Sequence, residues 1–251
     1  MIRRAKDGLP ARVSGSRTQE KLAYVERYVR AFMTAMAPKR KPGQWSELVY
    51  MDFLAGPGRG IDRKTGAEFD GSPLRALTVT PPFDRLYLSD LDARNVEALR
   101  RRIPQGDRSR VDLRQGDCHT IAADVTSHLS RRTLALAFVD PQGFEVRFRL
   151  FETLATRPVD ILYLFPGGIG IARNLRSFVK RAQAPLDDLI PGWRGLKRAR
   201  YQYTGQGEPY FTNENNVRMY HLLFFSQHPA GLTLWRNVTR VEPSGQRRLP
   251  F

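Results

Sequence analysis

An α/β fold built on a mostly parallel sheet is what this amino-acid sequence predicts, from three observations. Residues 48–54, 86–89, 134–139 and 161–165 are short, nearly continuous apolar runs, as strands are when helices cover both faces of a parallel sheet. Segments of helical spacing, such as 94–103, lie between such runs. Each run also stops at a carboxylate, a glycine or a proline, with Gly56, Asp90, Asp140 and Pro166 following closely. That alternation is the pattern of a Rossmann-like sheet, whose ligand crevice lies beyond the carboxyl ends of its strands.

The elements follow in order. Residues 1–17 are polar and basic, show no periodicity, and are expected to form a mobile arm. That leaves 18–251 as a single domain. From Thr18 to Met36 the apolar positions Leu22, Val25, Tyr28, Val29, Phe32, Met33 and Met36 recur at three- and four-residue steps, which predicts an amphipathic N-terminal helix. Thr18 is placed to cap its start, and Pro38 lies just past its end. Residues 37–44 read as a basic Pro/Gly loop. Residues 111–115 alternate and end at Gly116-Asp117. Near the C-terminus, 219–226 and 232–238 are expected as two strands separated by 227–231, an antiparallel hairpin that closes the sheet.

Composition narrows the classes. A chain of 251 residues, 41% hydrophobic, can bury one good core. Its only cysteine is Cys118, so neither an intramolecular disulfide nor a cysteine zinc site can form, which suits a cytoplasmic protein. The apolar runs are too short to cross a bilayer. Met1-Ile2-Arg3-Arg4 has no apolar stretch behind it, so neither a secretory signal nor a membrane partner is expected. The formal net charge is +16. Such an excess favours a polyanion, and nucleic acid is the expected partner, with an acidic protein or a merely basic surface as alternatives. The basic residues are spread through the chain, at Arg100 to Arg102, Arg131-Arg132, Lys180-Arg181, Lys197 to Arg200 and Arg247-Arg248.

Four turns carry candidate chemistry. In Asp52-Phe53-Leu54-Ala55-Gly56-Pro57-Gly58, an apolar strand delivers a carboxylate into a tight glycine turn, where missing β-carbons let a ligand approach the backbone. A phosphate-gripping loop needs Gly-Lys-Ser/Thr, and Gly60 is followed by Ile61-Asp62. A dinucleotide fingerprint wants Gly or Ala three residues beyond Gly58, where Ile61 stands, which weakens a nicotinamide oxidoreductase. The turn resembles the first motif of S-adenosylmethionine enzymes, so Asp52, Ala55, Gly56 and Gly58 are candidates for the methionine side. Asp90, ending the next strand, is the candidate for both ribose hydroxyls. Asp92 reads as the cap of the helix from Ala93. Asp117 is a candidate acceptor for an adenine amino group, with a solvated turn as the alternative. Cys118-His119 has no partner in sequence that would support metal or nucleophilic chemistry. Asp140-Pro141-Gln142-Gly143-Phe144 partly matches the Asp/Asn-Pro-Pro-aromatic turn of enzymes that methylate amino groups of bases. Asp140, Pro141 and Phe144 are therefore the candidate catalytic group, although Gly143 stands where the aromatic belongs. Ser72-Pro73 starts a helix well. Tyr201, Tyr203, Tyr210 and Phe211 interleave with Lys197, Arg198 and Arg200, a mixture suited to a strand groove or to a core edge.

The helix beginning Lys21-Leu22-Ala23-Tyr24, the Asp52 to Gly58 turn, Gly71-Ser72-Pro73, the Asp140 to Gly143 turn and Met219 to Phe224 together resemble the three-Cys-motif partner protein family over about residues 18–240. The resemblance implies a class I methyltransferase fold that binds S-adenosylmethionine. It also implies a functional link to a separate cysteine-motif protein resembling radical S-adenosylmethionine enzymes. The expectation is a methyltransferase acting on nucleic acid, or else a non-catalytic binding subunit of that partner.

Overall fold

The structure, a computed structural model, describes residues 2–15, 17–40, 44–166, 188–189, 203–204, 209–212 and 218–240. The central strands are β3 (Glu47–Asp52), β6 (Arg85–Asp90), β7 (Val111–Gln115), β8 (Thr133–Val139), β9 (Val159–Phe165) and β12 (Arg218–Ser226). They lie in the order β12-β9-β8-β3-β6-β7. β9, β8, β3, β6 and β7 run parallel, and β12 is antiparallel to β9. Two short strands, β10 (Tyr203–Thr204) and β11 (Tyr210–Thr212), pair antiparallel with β12. This is the expected Rossmann-like α/β fold with an antiparallel end. Strand order reverses between β3 and β8, so the crevice at their carboxyl ends, beyond Asp52 and Val139, is where such a sheet binds ligands.

Alternation along the strands assigns their faces. Leu48 and Tyr50 of β3, with Leu134, Leu136 and Phe138 of β8, pack under α1 (Arg17–Met36), α2 (Ser72–Leu77) and α6 (Pro229–Thr239). Val49 and Met51, with Ala135, Ala137 and Val139, pack against α4 (Cys118–His128) and α5 (Phe148–Leu154). Every residue of β8 is buried. α3 (Ala93–Arg102) begins at Asp92, whose carboxylate accepts the Arg94 amide at 2.9 Å. α1 starts at Arg17, so Thr18 lies inside the helix and does not cap it.

Two expectations are corrected. Residues 232–238 are not a strand. They lie in α6, where Gly231, Trp235 and Thr239 are buried at four-residue steps. Pro229 opens the helix and His228 Nδ1 accepts the Ala230 amide at 3.1 Å, so the start signal is a proline with an unusual cap. A β-carbon on Gly231 would lie 2.5 Å from Ser226 Oγ and 2.9 Å from Asp160 Oδ2, so no larger residue fits there without movement.

The second correction concerns the arm. Residues within 1–17 form a hairpin, β1 (Ile2–Arg4) with β2 (Pro10–Ser14). β2 then pairs in parallel with β4 (Arg59–Asp62), Arg12 opposite Gly60, and β4 pairs with β5 (Glu68–Asp70). The result is a second, four-stranded sheet, two of whose strands, β4 and β5, lie in the chain between the glycine turn and α2. Among the described residues, its own buried apolar cluster is Ala5, Ala11, Val13 and Ile61.

Polar bonds do the rest. The Arg102 side chain, 4% exposed, donates to the Pro10 and Pro57 carbonyls at 2.6 Å each and to both Asp7 carboxylate oxygens at 2.8 and 2.9 Å. It thereby fastens the hairpin to the glycine turn, and it holds the Asp7 carboxyl down to about 2. We expect Arg102→Ala to cost about 3 kcal/mol, the upper end of what hydrogen bonds to a charged group contribute, measured by urea denaturation. Trypsin should then cut at Arg12 faster than in the parent; unchanged stability and cleavage would refute this role.

Candidate functional site

The glycine turn leaves β3 at Asp52. Gly56 and Gly58 adopt φ of +62° and +78°, backbone that side chains with a β-carbon rarely accept. A β-carbon on Gly58 would also lie 2.7 Å from Leu99 of α3. Asp90 holds the turn from the neighbouring strand: its Oδ2 accepts the Gly56 amide at 2.9 Å. Its Oδ1 accepts the Asp92 amide at 2.9 Å and Asn95 Nδ2 at 3.0 Å. A carboxylate offers about four lone-pair directions, so Asp90 retains one for a ligand and cannot take two hydroxyls at once.

Asp52 is fully buried. Its Oδ2 accepts the Ser72 hydroxyl at 2.6 Å and its Oδ1 the Leu54 amide at 3.3 Å. Burial pushes its carboxyl up to about 7, with Asp140 and Asp90 adding to the rise and the hydrogen bonds opposing it.

A cleft of about 690 Å³ opens against this turn, within the range of small-molecule sites. Ala55, Gly56 and Gly58 line it from one side, and Asp140, Pro141 and Gln142 from the other. The β2 end and the start of α1 supply Arg12, Arg17 and Lys21, while Ser72 and Tyr220 complete the wall. Of the expected site residues, five therefore meet in one place: Ala55, Gly56, Gly58, Asp140 and Pro141. Asp52 and Asp90 do not line the cleft but support the turn, Asp52 from full burial and the half-buried Asp90 through the Gly56 amide.

Two others go elsewhere. Asp117 caps α4, accepting the His119 and Thr120 amides at 3.1 Å each. Phe144 packs against the core beneath α4 and α5 instead of facing the cleft, so it is not the stacking aromatic expected of it. Tyr220, half-buried on β12, lines the cleft; sequence spacing did not single it out as a site residue. Phe211 also borders the cleft, but it is 4% exposed and packs edge-on against Tyr24. Tyr201 and Lys197 to Arg200 lie outside the described residues.

The turn after β8 is shaped by bonds from two distant helices, α1 and α4, and from within the turn itself. Lys21 Nζ on α1 donates to Asp140 Oδ2 at 2.5 Å, and both groups are mostly shielded from water. Glu145 accepts the Gln142 amide at 2.5 Å and the Gly143 amide at 2.7 Å. His119 Nε2 accepts the Arg147 amide at 2.9 Å, which places the ring proton on Nδ1, toward Asp117. Asp117, Cys118 and His119 do gather within 4.8 Å. However, both His119 nitrogens are engaged and burial pushes the Cys118 thiol up to about 11, so the group is built as a brace and the thiol as an inert side chain. Lys21 and His119 were not legible as site residues, because each acts through a contact far away in sequence; Glu145, which closes the turn onto residues two and three positions before it, was not singled out either.

Several arginines behind the basic charge are internal. Arg102 is one, and Arg110 donates to the Leu77 and Phe83 carbonyls at 2.8 and 3.2 Å. Among the described residues, no helix is long and apolar enough to cross a membrane.

No family model and no curated protein matches this chain. Among solved structures it is similar to protein LPL1258 from Legionella pneumophila, described under the family model DUF519, with a TM-score of 0.52 and 12% identity over 90% of this chain and 95% of that one. It also matches a methyltransferase from Geobacter sulfurreducens, with a TM-score of 0.40 and 17% identity over 83% and 78% of the two chains. A third match is the bifunctional kinase-methyltransferase WbdD, with a TM-score of 0.47 and 13% identity over 83% and 39%. The likeness to LPL1258 is one of fold.

Asp52 and Asp160 are both buried carboxyls pushed up to about 7 by burial. The folded state binds their protons more tightly than the unfolded chain does. Their contribution to stability therefore falls as pH rises from about 4 to about 7 and is level above that. Urea midpoints should decline from pH 5 to pH 7.5, and Asp52→Asn or Asp160→Asn should each flatten part of the decline. An unchanged slope in both variants would contradict the assignment.

Proposed function

We propose that this protein is an S-adenosylmethionine-dependent methyltransferase that acts on nucleic acid. The observation that carries the reading is the cleft at the reversal of strand order, with a positive-φ glycine turn on one wall and the Asp140 turn on the other. The donor, when bound, supplies an electrophilic methyl group on a sulfonium. The residues present fit it. Gly56 and Gly58 give close approach to the backbone, Ser72 offers a hydroxyl fixed by Asp52, and Asp90 keeps one acceptor direction for a ribose hydroxyl.

Asp140 orients the acceptor. Lys21 holds one of its oxygens, leaving the other to accept a hydrogen bond from the group to be methylated. Glu145 fixes the turn so that this geometry exists before the acceptor arrives. Tyr220 provides the aromatic surface for a base. The excess of positive charge supports a polyanionic acceptor. The resemblance to the three-Cys-motif partner family adds a second proposal, that a separate cysteine-motif protein works with this chain.

Equilibrium binding and tritiated-methyl transfer to mixed RNA and DNA test the reading. The parent should bind the donor or its demethylated product and label nucleic acid. Asp140→Ala should lower transfer by roughly 100-fold or more, the scale of a lost orienting and proton-accepting group, while donor affinity stays within about threefold of the parent. Acceptor affinity should fall linearly with the logarithm of salt. Failure of the parent to take up either donor or product would sink the reading, and a flat salt response would remove the nucleic acid.

A further inference from the structure

The hairpin of β1 and β2 has a function beyond extending a sheet. β2 carries Arg12 into the cleft, where it is half-buried. Its guanidinium lies 3.8 Å from the position a β-carbon would take on Gly56, so it stands directly over the glycine turn. The other cations that approach from this side are spent. Arg17 pairs with Glu20 at 2.9 Å, Lys21 with Asp140 at 2.5 Å, and Arg59 with Asp70 at 3.0 Å. Arg63 sits exposed on the rim, where water solvates it. Among the described residues, no carboxylate lies within ion-pair range of Arg12.

Partial burial of a cation without a counter-charge is costly unless an anion completes it. The cost is held in place here by construction. Pairing of Arg12 opposite Gly60 fixes the strand, and Arg102 bolts the hairpin to the carbonyl of Pro57 within the same turn. Such a guanidinium is oriented before any ligand arrives, and a planar carboxylate is its natural bidentate partner.

We propose that Arg12 binds the carboxylate of the amino-acid portion of S-adenosylmethionine. The assignment rests on the reading that this donor occupies the cleft. Arg12 and Asp90 then flank Gly56, one above the turn and the other through its amide. They divide the donor between them, the carboxylate to Arg12 and the ribose to Asp90. The hairpin, which forms no part of the central sheet, becomes one wall of the donor site.

The test pairs two ligands with two proteins. Affinities of S-adenosylmethionine and decarboxylated S-adenosylmethionine, which lacks only the carboxylate, are measured by calorimetry for the parent and for Arg12→Gln. The parent should bind the complete donor roughly 10- to 100-fold more tightly than the decarboxylated one, the range for a charge-assisted contact. Arg12→Gln should bind both alike, at about the affinity the parent has for the decarboxylated donor. Arg12→Lys, which keeps charge but not the fork, should fall between. Circular dichroism spectra matching the parent establish that both variants are folded. If Arg12→Gln still separates the two ligands as strongly as the parent does, the carboxylate is held elsewhere and the assignment is overturned. The same follows if Arg12→Gln leaves donor affinity intact and weakens only an oligonucleotide, because the anion would then be a phosphate. If the parent binds neither nucleoside, the donor reading itself fails and takes this assignment with it.

Discussion

Arg102 is the interaction on which the architecture of the cleft depends. Its guanidinium is removed from water, and every contact that compensates for this lies on a different part of the chain: Asp7 and Pro10 in the hairpin, Pro57 in the glycine turn. The hairpin brings only Ala5, Ala11 and Val13 to the second sheet's buried apolar cluster, where they meet Ile61 of β4, far too little to hold two strands against their entropy of ordering. The buried Arg102 guanidinium and the parallel ladder with β4 therefore decide where β2 sits. Through β2 they decide where Arg12 sits. An arginine that counts toward net charge in the sequence is here an internal fastener.

The cleft has two kinds of wall. On the glycine side, close approach is achieved by removing side chains and bending the backbone to positive φ, with Asp90 and Asp52 bracing the turn. On the opposite side, polar groups are kept in view by one contact that crosses the chain, Lys21 to Asp140, and by two within the turn, Glu145 to the amides of Gln142 and Gly143. The first wall is made to accommodate and the second to orient. Both meet where the strand order turns back on itself, the one place in such a sheet where two neighbouring strand ends lead in opposite directions.

Much of this was legible in the sequence because the central strands are read locally. A continuous apolar run bounded by a turn needs no knowledge of its partners, and β3, β6, β8 and β9 all lie where such runs stand. Asp92 as a helix cap and Gly56 with Gly58 as a tight turn are likewise local chemistry. The failures share a cause as well. β1 and β2 contribute only small apolar side chains and pair with a strand some 50 positions on, so their alternation is drowned by charge. The segment after Pro229 shows alternation in Leu232, Leu234 and the intervening Thr233, but its burial follows the helical step from Gly231 to Trp235. Phe144 matched a motif by proximity, and one residue of offset sent its ring to the core. Lys21 and Tyr220 became site residues only when the fold brought them to the cleft.

The pairing of Lys21 with Asp140 spans the greater part of a β/α unit series, and the cleft as a whole draws on the hairpin, the first helix, the glycine turn, the turn after β8 and β12. No fragment of the chain assembles it. A small molecule lodged there recognises the finished topology alone, so its binding widens the free-energy gap between the folded and the unfolded chain in step with its concentration relative to Kd. For this protein, occupancy of the cleft and endurance against denaturation are one quantity seen from two sides.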